Sequence, residues 1–294
     1  MESIVVKFIS YIDVELNYSV HTIRNYKKDL ELFSVFLKEN KINYSEIDYS
    51  HIRLYLNNLY EKKYESKTIN RMLSSLRSFF KYLKKEKLIK TNPMELITNN
   101  KVSKKIPNYL HYYEFEKLLN VPDDSALGLR DKVILETLYS TGIRVSELVN
   151  IKADDIYLED GLIKVMGKGR KERFVIFGNR LRETLKFYLQ TRSNLITTES
   201  DTLLLNKNGK PLTDRGVRLI IEKIAKKTDI QKPISPHTLR HTFATHMLDA
   251  GADLKIVQEL LGHESIGSTG IYTHVSNEKL RDEYRKNHPR AKKE

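Results

Sequence analysis

The feature that most restricts the fold is a change of period along the chain. Apolar side chains recur every three to four residues through the first hundred positions, the repeat of an amphipathic helix. Short β-rich runs appear only between residues 155 and 177, and helical spacing returns after them. A chain patterned this way folds as a mainly α protein in which one small sheet interrupts the second half.

The first part reads as a small bundle. Ser19 is placed to cap a helix carrying Ile23, Tyr26, Leu30, Phe33 and Leu37 on one face. Asp48 or Ser50 caps the next, with Ile52, Leu56 and Leu59, and Ser66 a further one with Ile69, Leu73, Leu76, Phe80 and Leu83. Asn92-Pro93 is expected to close that last helix. Residues 1–97 are therefore read as an N-terminal helical domain, 98–107 as a polar, basic linker, and 108–294 as a second, mixed α+β domain. Such a linker would let two domains open and close.

In the second domain, helices are expected over Tyr113–Leu119, Leu129–Tyr139 and Val145–Ile151. Asp155–Leu158, Leu162–Val165 and Arg173–Phe177 follow as strands of a three-stranded antiparallel sheet, joined by turns at Glu159-Asp160-Gly161 and Gly167-Lys168-Gly169-Arg170. Further helices are expected at Arg180–Gln190, Asp214–Lys227, Pro236–Asp249, Leu254–Leu261, Ile266–Tyr272 and Asn277–Lys286.

Charge narrows the partners. Lys and Arg number 51 against 38 acidic residues, a net charge of +13, which favours a polyanion such as nucleic acid or an anionic membrane surface. Between Lys62 and Lys105 there are 13 basic and 3 acidic residues, so much of the excess sits on one helix and the segment behind it. Lys67, Arg71, Arg77 and Lys81 are candidate phosphate contacts on that helix; a few charges on a helix face are usually only solvated, but their concentration here favours a phosphate-binding surface. With no cysteine, disulfides, thiol catalysis and Cys-ligated zinc are excluded, and a reducing cytoplasm is expected. No secretory signal and no membrane span are expected.

Six residues in the second half could carry phosphate chemistry: Arg144, Lys168, His237, Arg240, His263 and Tyr272. Ser235-Pro236 is a helix start, which puts His237 in the first turn and Arg240 three positions on, where free N–H groups and the helix dipole favour an anion. Arg144 follows Gly142 and precedes a helix; it either forms a salt bridge with Glu147 or pairs with a second arginine to grip a phosphodiester. Lys168 is either an exposed turn lysine or a proton donor to a leaving oxygen. His263, after Gly262, either caps or bonds a phosphate oxygen. Tyr272 is one of 17 tyrosines, and a phenol with a pKa near ~10 needs cations or a base to become a nucleophile. His237 and His241 have metal-ligand spacing, but Thr238 stands where the zinc-protease pattern needs Glu, so no metal is expected.

These segments together resemble the tyrosine recombinase (phage integrase) family, and within it the Xer recombinases. The resemblance is carried by Ser19-Val-His-Thr-Ile-Arg-Asn-Tyr, Thr141-Gly-Ile-Arg-Val-Ser-Glu-Leu, Gly167-Lys-Gly-Arg-Lys-Glu-Arg, His237-Thr-Leu-Arg-His-Thr-Phe-Ala-Thr-His, Leu261-Gly-His, Ile271-Tyr-Thr-His-Val and His288-Pro-Arg-Ala. It implies a SAM-like core-binding domain followed by a catalytic domain. It implies that Arg144 and Arg240 bind the scissile phosphate, His237 is the acid/base partner, Lys168 protonates the leaving 5′-hydroxyl, His263 supports the phosphate and Tyr272 is the nucleophile, with Glu147 orienting Arg144. No cofactor is implied, because the 3′-phosphotyrosine conserves the bond energy. The implied partners are double-stranded DNA with a short, partly palindromic site and a tetramer on two such sites, with a paralogous recombinase and a DNA translocase as candidates. Residues 277–294 are expected to contact a neighbouring protomer. The compact length favours chromosome dimer resolution over a mobile-element integrase. A type IB topoisomerase would use similar chemistry without pairing two sites, and a non-catalytic DNA-binding protein would keep the fold without needing Tyr272 or Lys168. Gly267 and Gly270 each cost a helix about 1 kcal/mol relative to Ala, so the segment before Tyr272 is expected to be loosely held until the assembly forms.

Overall fold

The computed structural model describes residues 2–16, 18–100, 108–167, 171–195, 200–262 and 275–291. The chain divides into two compact units, Met1–Lys105 and Ile106–Glu294, each with its own apolar core.

The first unit contains α1 (Glu2–Val14), α2 (Val20–Glu39), α3 (Tyr49–Glu61) and α4 (Ser66–Lys85). Leu30, Phe33 and Leu37 of the expected α2 face are buried, and Ile23 and Tyr26 pack at its edge. The Ser19 hydroxyl accepts from the Thr22 N–H, as an N-cap does. At α3 the cap is Asp48, whose carboxylate accepts from the His51 N–H at 3.0 Å while His51 Nδ1 accepts from the Asp48 N–H. Two expectations are corrected. The cap position of α4 is Glu65, in extended backbone, and Ser66 is already helical. Asn92-Pro93 does not close α4, which ends at Lys85 with Lys87 in the left-handed region.

Lys87 belongs to a set. Lys41, Lys63 and Lys87, at φ of 54, 57 and 58°, end α2, α3 and α4 in turn. Each is followed by an apolar or aromatic residue whose N–H reaches back to the helix: Ile42 to Leu37, Tyr64 to Leu59 and Leu88 to Leu83. This is the usual glycine-terminated helix end made with lysine. Sequence signals for a stop look for glycine, and so miss it.

The chain leaves the first unit later than residue 97. Asn100 donates from its backbone to Asn70 Oδ1 and accepts from Asn70 Nδ2, so residues 99 and 100 are docked rather than free linker. Residues 101–107 lie outside the described part.

In the second unit, α6 (Ala126–Thr141) runs through the core, with Val133, Ile134, Leu135, Leu138 and Tyr139 fully buried. It packs on α5 (Tyr112–Leu119), α8 (Asn179–Arg192), α9 (Asp214–Ala225) and α10 (Pro236–Asp249). β1 (Ile156–Tyr157), β2 (Leu162–Met166) and β3 (Glu172–Ile176) form an antiparallel sheet in that order. Val165 pairs with Arg173 and Ile163 with Val175. α7 is only Val145–Leu148, shorter than expected, because the following residues pair across the chain instead. The Ile151 carbonyl accepts from the Leu203 N–H and the Ala153 N–H donates to the Asp201 carbonyl. α11 (Leu254–Leu260) and α12 (Val275–Asn287) complete the unit. The expected helix at Ile266–Tyr272 lies outside the described residues.

The C-terminal segment, expected to serve a neighbour, packs one face on its own unit, burying Tyr284, Asn287, His288 and Arg290. Leu280 and Tyr284 face Phe243 and Met247, and His288 is fully buried with its ring stacked on Tyr284. Burial holds His288 well below the usual imidazole range, at about 3, so it is neutral. Arg290 enters α6 territory: its guanidinium pairs with the buried Glu136 and donates to Glu116 Oε1 at 2.6 Å. Burial opposes the charge on Arg290, but Glu136 outweighs it and raises the guanidinium. Replacing Arg290 by Ala strands a carboxylate in the core and is expected to cost about 3–5 kcal/mol in thermal or denaturant unfolding. The Glu136→Leu, Arg290→Met double variant should cost less than Arg290→Ala alone. A double variant that melts lower would refute the stranded-charge explanation.

Candidate active site

The site is built where α6 turns into α7. α6 ends at Gly142, at φ +60°, where an L side chain would be strained and a Cβ would lie 2.6 Å from Phe243 and 2.8 Å from Leu261. The tight turn places Ile143 in the core and Arg144 at the N-cap of α7. From the other side, α10 starts at Ser235-Pro236. The Ser235 hydroxyl accepts from the Thr238 N–H at 3.2 Å, closing a capping box. His237 is exposed in that first turn, and Arg240 reaches back toward Gly142.

Arg240 ties three elements together. Its Nη1 donates to the Gly142 carbonyl at 2.5 Å and its Nη2 to the Leu261 carbonyl, at the end of α11, at 2.9 Å. Two of its five N–H donors are thus used on backbone, and among the described residues the others remain for an anion. Burial, and then the nearby Arg144 cation, pull its pKa down from 12.5 to about 10. It stays charged at neutral pH, in a position that an anion would relieve.

Arg144 is 42% exposed and bonded to Glu147, which is 4% exposed. Glu147 Oε2 accepts from the Arg144 N–H at 2.8 Å, and Oε1 from Arg144 Nη1 at 3.1 Å. Arg144 therefore has the salt bridge that its sequence context allows, yet keeps an open face.

Glu147 has a second partner. Arg173, on β3, donates Nη1 to Oε1 at 2.8 Å and Nη2 to Oε2 at 3.1 Å. Burial pushes the Glu147 carboxyl up, but the hydrogen bonds from Arg173 and the Arg144 backbone, with both cations, prevail and hold it below the usual carboxylate range. The motifs assign Arg173 no role. The signal for it is local: on a strand, residue 173 shares a face with the buried Val175 and Phe177, and an arginine on a buried face needs an anion.

Arg144, Glu147, Arg173 and Arg240 are therefore one charged cluster, with His237 at the start of the helix that carries Arg240. Lys168, His263 and Tyr272 lie outside the described residues, as do Gly267 and Gly270. Their neighbours are placed: Gly167 follows the end of β2, and Gly262, at φ +66°, lies against Arg173.

On the first unit, the four candidate phosphate contacts divide. Arg71 donates to the buried Asp29 at 2.5 Å and Arg77 to the Ile97 carbonyl and Asn99, so both hold the unit together. Lys67 and Lys81 are exposed. Replacing Lys67 and Lys81 together by Ala is expected to reduce the slope of log affinity for duplex DNA against log salt by up to about 2, near one per lost phosphate contact. An unchanged slope would exclude that face from phosphate contact. The same exchange at Arg71 or Arg77 is expected to lower thermal stability.

Residues 108–279 match the phage integrase family, and residues 5–87 match the phage integrase N-terminal SAM-like domain. The chain is 44% identical over 295 residues to tyrosine recombinase XerC of Staphylococcus saprophyticus, covering 100% of both chains. It is 45% identical over 290 residues to tyrosine recombinase XerC of Bacillus subtilis, covering 97% of this chain and 95% of that one. Among solved structures, it is similar to the XerH site-specific recombinase bound to palindromic difH substrate in a post-cleavage complex. The TM-score is 0.72 at 26% identity, over 92% of this chain and 80% of that one. A lambda integrase tetramer bound to a Holliday junction shares the fold at TM-score 0.70 and 19% identity, over 93% of this chain and 80% of that one.

Proposed function

Because the chain belongs to the phage integrase family, we propose that its arginine cluster grips the scissile phosphate of a DNA strand during site-specific strand exchange. It is a site-specific tyrosine recombinase of the Xer type. The observation that supports the site is the convergence of Arg144 and Arg240, from separate helices, on the Gly142 turn.

In this reading, Arg144 and Arg240 bind the two non-bridging oxygens and stabilise the extra charge of the pentacoordinate transition state. The Tyr272 oxygen attacks phosphorus and the bond to the 5′-oxygen breaks. Lys168 gives that oxygen its proton, and His237 exchanges a proton at the reacting centre. His263 bonds the phosphate. The product is a 3′-phosphotyrosine and a free 5′-hydroxyl; attack by the 5′-hydroxyl of the second duplex reverses the step. One phosphodiester is exchanged for another, so no nucleotide cofactor is needed.

The proposed substrate is duplex DNA with a short, partly palindromic site, bound by a tetramer across two sites, with a paralogous recombinase as the second half of the assembly. Chromosome dimer resolution in the cytoplasm, with a DNA translocase as activator, is the favoured role. It is supported by full-length similarity to XerC proteins. No helix among the described residues is long and apolar enough to cross a membrane.

The test is a suicide substrate: the target site, found by footprinting on the host chromosome, carrying a nick beside the cleavage point. The wild type should trap a covalent protein–DNA adduct. Specific binding without any adduct would refute catalysis and favour a DNA-binding protein on the same fold.

A further inference from the structure

We propose that Arg173 is a positioning residue for the phosphate grip: it occupies Glu147 and so keeps Arg144 available to substrate. The inference rests on the reading of Arg144 as a phosphate ligand.

The geometry is unequal. Arg173 engages Glu147 with both arms of its fork, at 2.8 and 3.1 Å. Arg144 gives the same carboxylate one side-chain bond, at 3.1 Å, and its backbone N–H. A buried carboxylate draws in whatever cation can satisfy it. With Arg173 present, two guanidinium groups share one negative charge, and Arg144 keeps most of its donors and an open face. Without Arg173, Arg144 is the remaining cation hydrogen-bonded to Glu147 among the described residues. The two-armed geometry that arginine and carboxylate prefer would then turn the Arg144 fork inward, away from a phosphate.

Arg173 also lies against the turn at Gly262. A Cβ at Gly262 would lie 2.7 Å from both Cζ and Nε of Arg173, so only glycine lets this turn rest on the guanidinium. The preceding residue, Leu261, supplies the carbonyl that Arg240 holds. Arg240 thus bonds one residue of this turn while Arg173 packs against the next, so Arg173 lies between the Arg144 carboxylate partner and that turn.

The experiment measures single-turnover cleavage of the suicide substrate at saturating DNA, with DNA affinity and thermal melting measured alongside. The Arg173→Gln variant is expected to cleave about 10- to 100-fold more slowly, the size of coupling expected among charges that share a partner. Affinity for DNA should change far less, because most phosphate contacts lie elsewhere. Arg173→Lys keeps the charge without the fork; it too should be slowed, and it reports on the proposal if the Gln variant melts early. Adding Glu147→Gln to Arg173→Gln removes the charge that captures Arg144 and should restore roughly tenfold of the lost rate. A merely structural role for Arg173 predicts the opposite, a further loss. Unchanged cleavage in both Arg173 variants, or no recovery in the double variant, overturns the proposal while the recombinase reading stands. A wild type that forms no adduct overturns that reading and this inference with it.

Discussion

Tyr272→Phe should bind the target DNA and form no covalent adduct. The phenol oxygen is the proposed attacking atom, and phenylalanine offers nothing in its place. Removal of an enzymatic nucleophile costs a factor on the order of 10⁴ or more, so the adduct should fall below detection on the suicide substrate. Binding should hardly change, because a single hydroxyl contributes about 1 kcal/mol, roughly fivefold in affinity. Of the 17 tyrosines, those the fold buries are poor substitutes. Burial pushes the Tyr55, Tyr139 and Tyr284 phenols above the usual range, so they do not ionise near neutral pH. An adduct retained by the Phe variant would mean another nucleophile, to be located by mapping the DNA-linked peptide.

Arg240→Ala should slow cleavage by about 10²–10³, the usual cost of one preorganised transition-state donor. The variant has a second consequence that the structure makes visible. The Gly142 and Leu261 carbonyls lose their donor, so the turn carrying Arg144 and the end of α11 lose their tie. Arg240→Lys restores a charge but cannot serve two carbonyls and a phosphate with a planar fork, and should recover little of the rate. Arg144→Ala should show a similar loss of rate with a smaller loss of stability, since Glu147 keeps the Arg173 fork and Arg144 is 42% exposed. Near-normal cleavage in Arg240→Ala and Arg144→Ala would remove the two-arginine grip from the mechanism.

The contrast between these arginines shows where sequence reasoning reaches and where it stops. Arg240 and His237 are legible because a helix start is a local event. Ser235 and Pro236 announce it, and the spacing of three does the rest. Glu147 is legible as a partner of Arg144 for the same reason, three residues away on one short helix. For Arg173 the strand pattern says only that an anion is needed; which one stays hidden, because its partner is 26 residues distant. Arg71 and Arg77 look like phosphate contacts because a basic helix face has the same pattern whether its arginines meet solvent or a buried carboxylate. Asp29, 42 residues before Arg71, engages that arginine, and the Ile97 carbonyl and Asn99 engage Arg77.

The sequence by itself determined the class and order of the elements and the motif set. Helical period, capping residues, turn glycines and the alternation around residues 162–176 act over a few residues and need no distant partner. It also ended a helix at Leu261, just before Gly262. Only the tertiary structure decided which charges are satisfied internally. It placed Glu147 between two arginines, tied Arg240 to backbone from two elements, and buried Tyr284, His288 and Arg290 in their own unit. The physical reason is the same in each case: a buried charge or polar ring is stable only beside a specific partner, and the fold brings that partner from a sequence distance at which no local pattern can identify it.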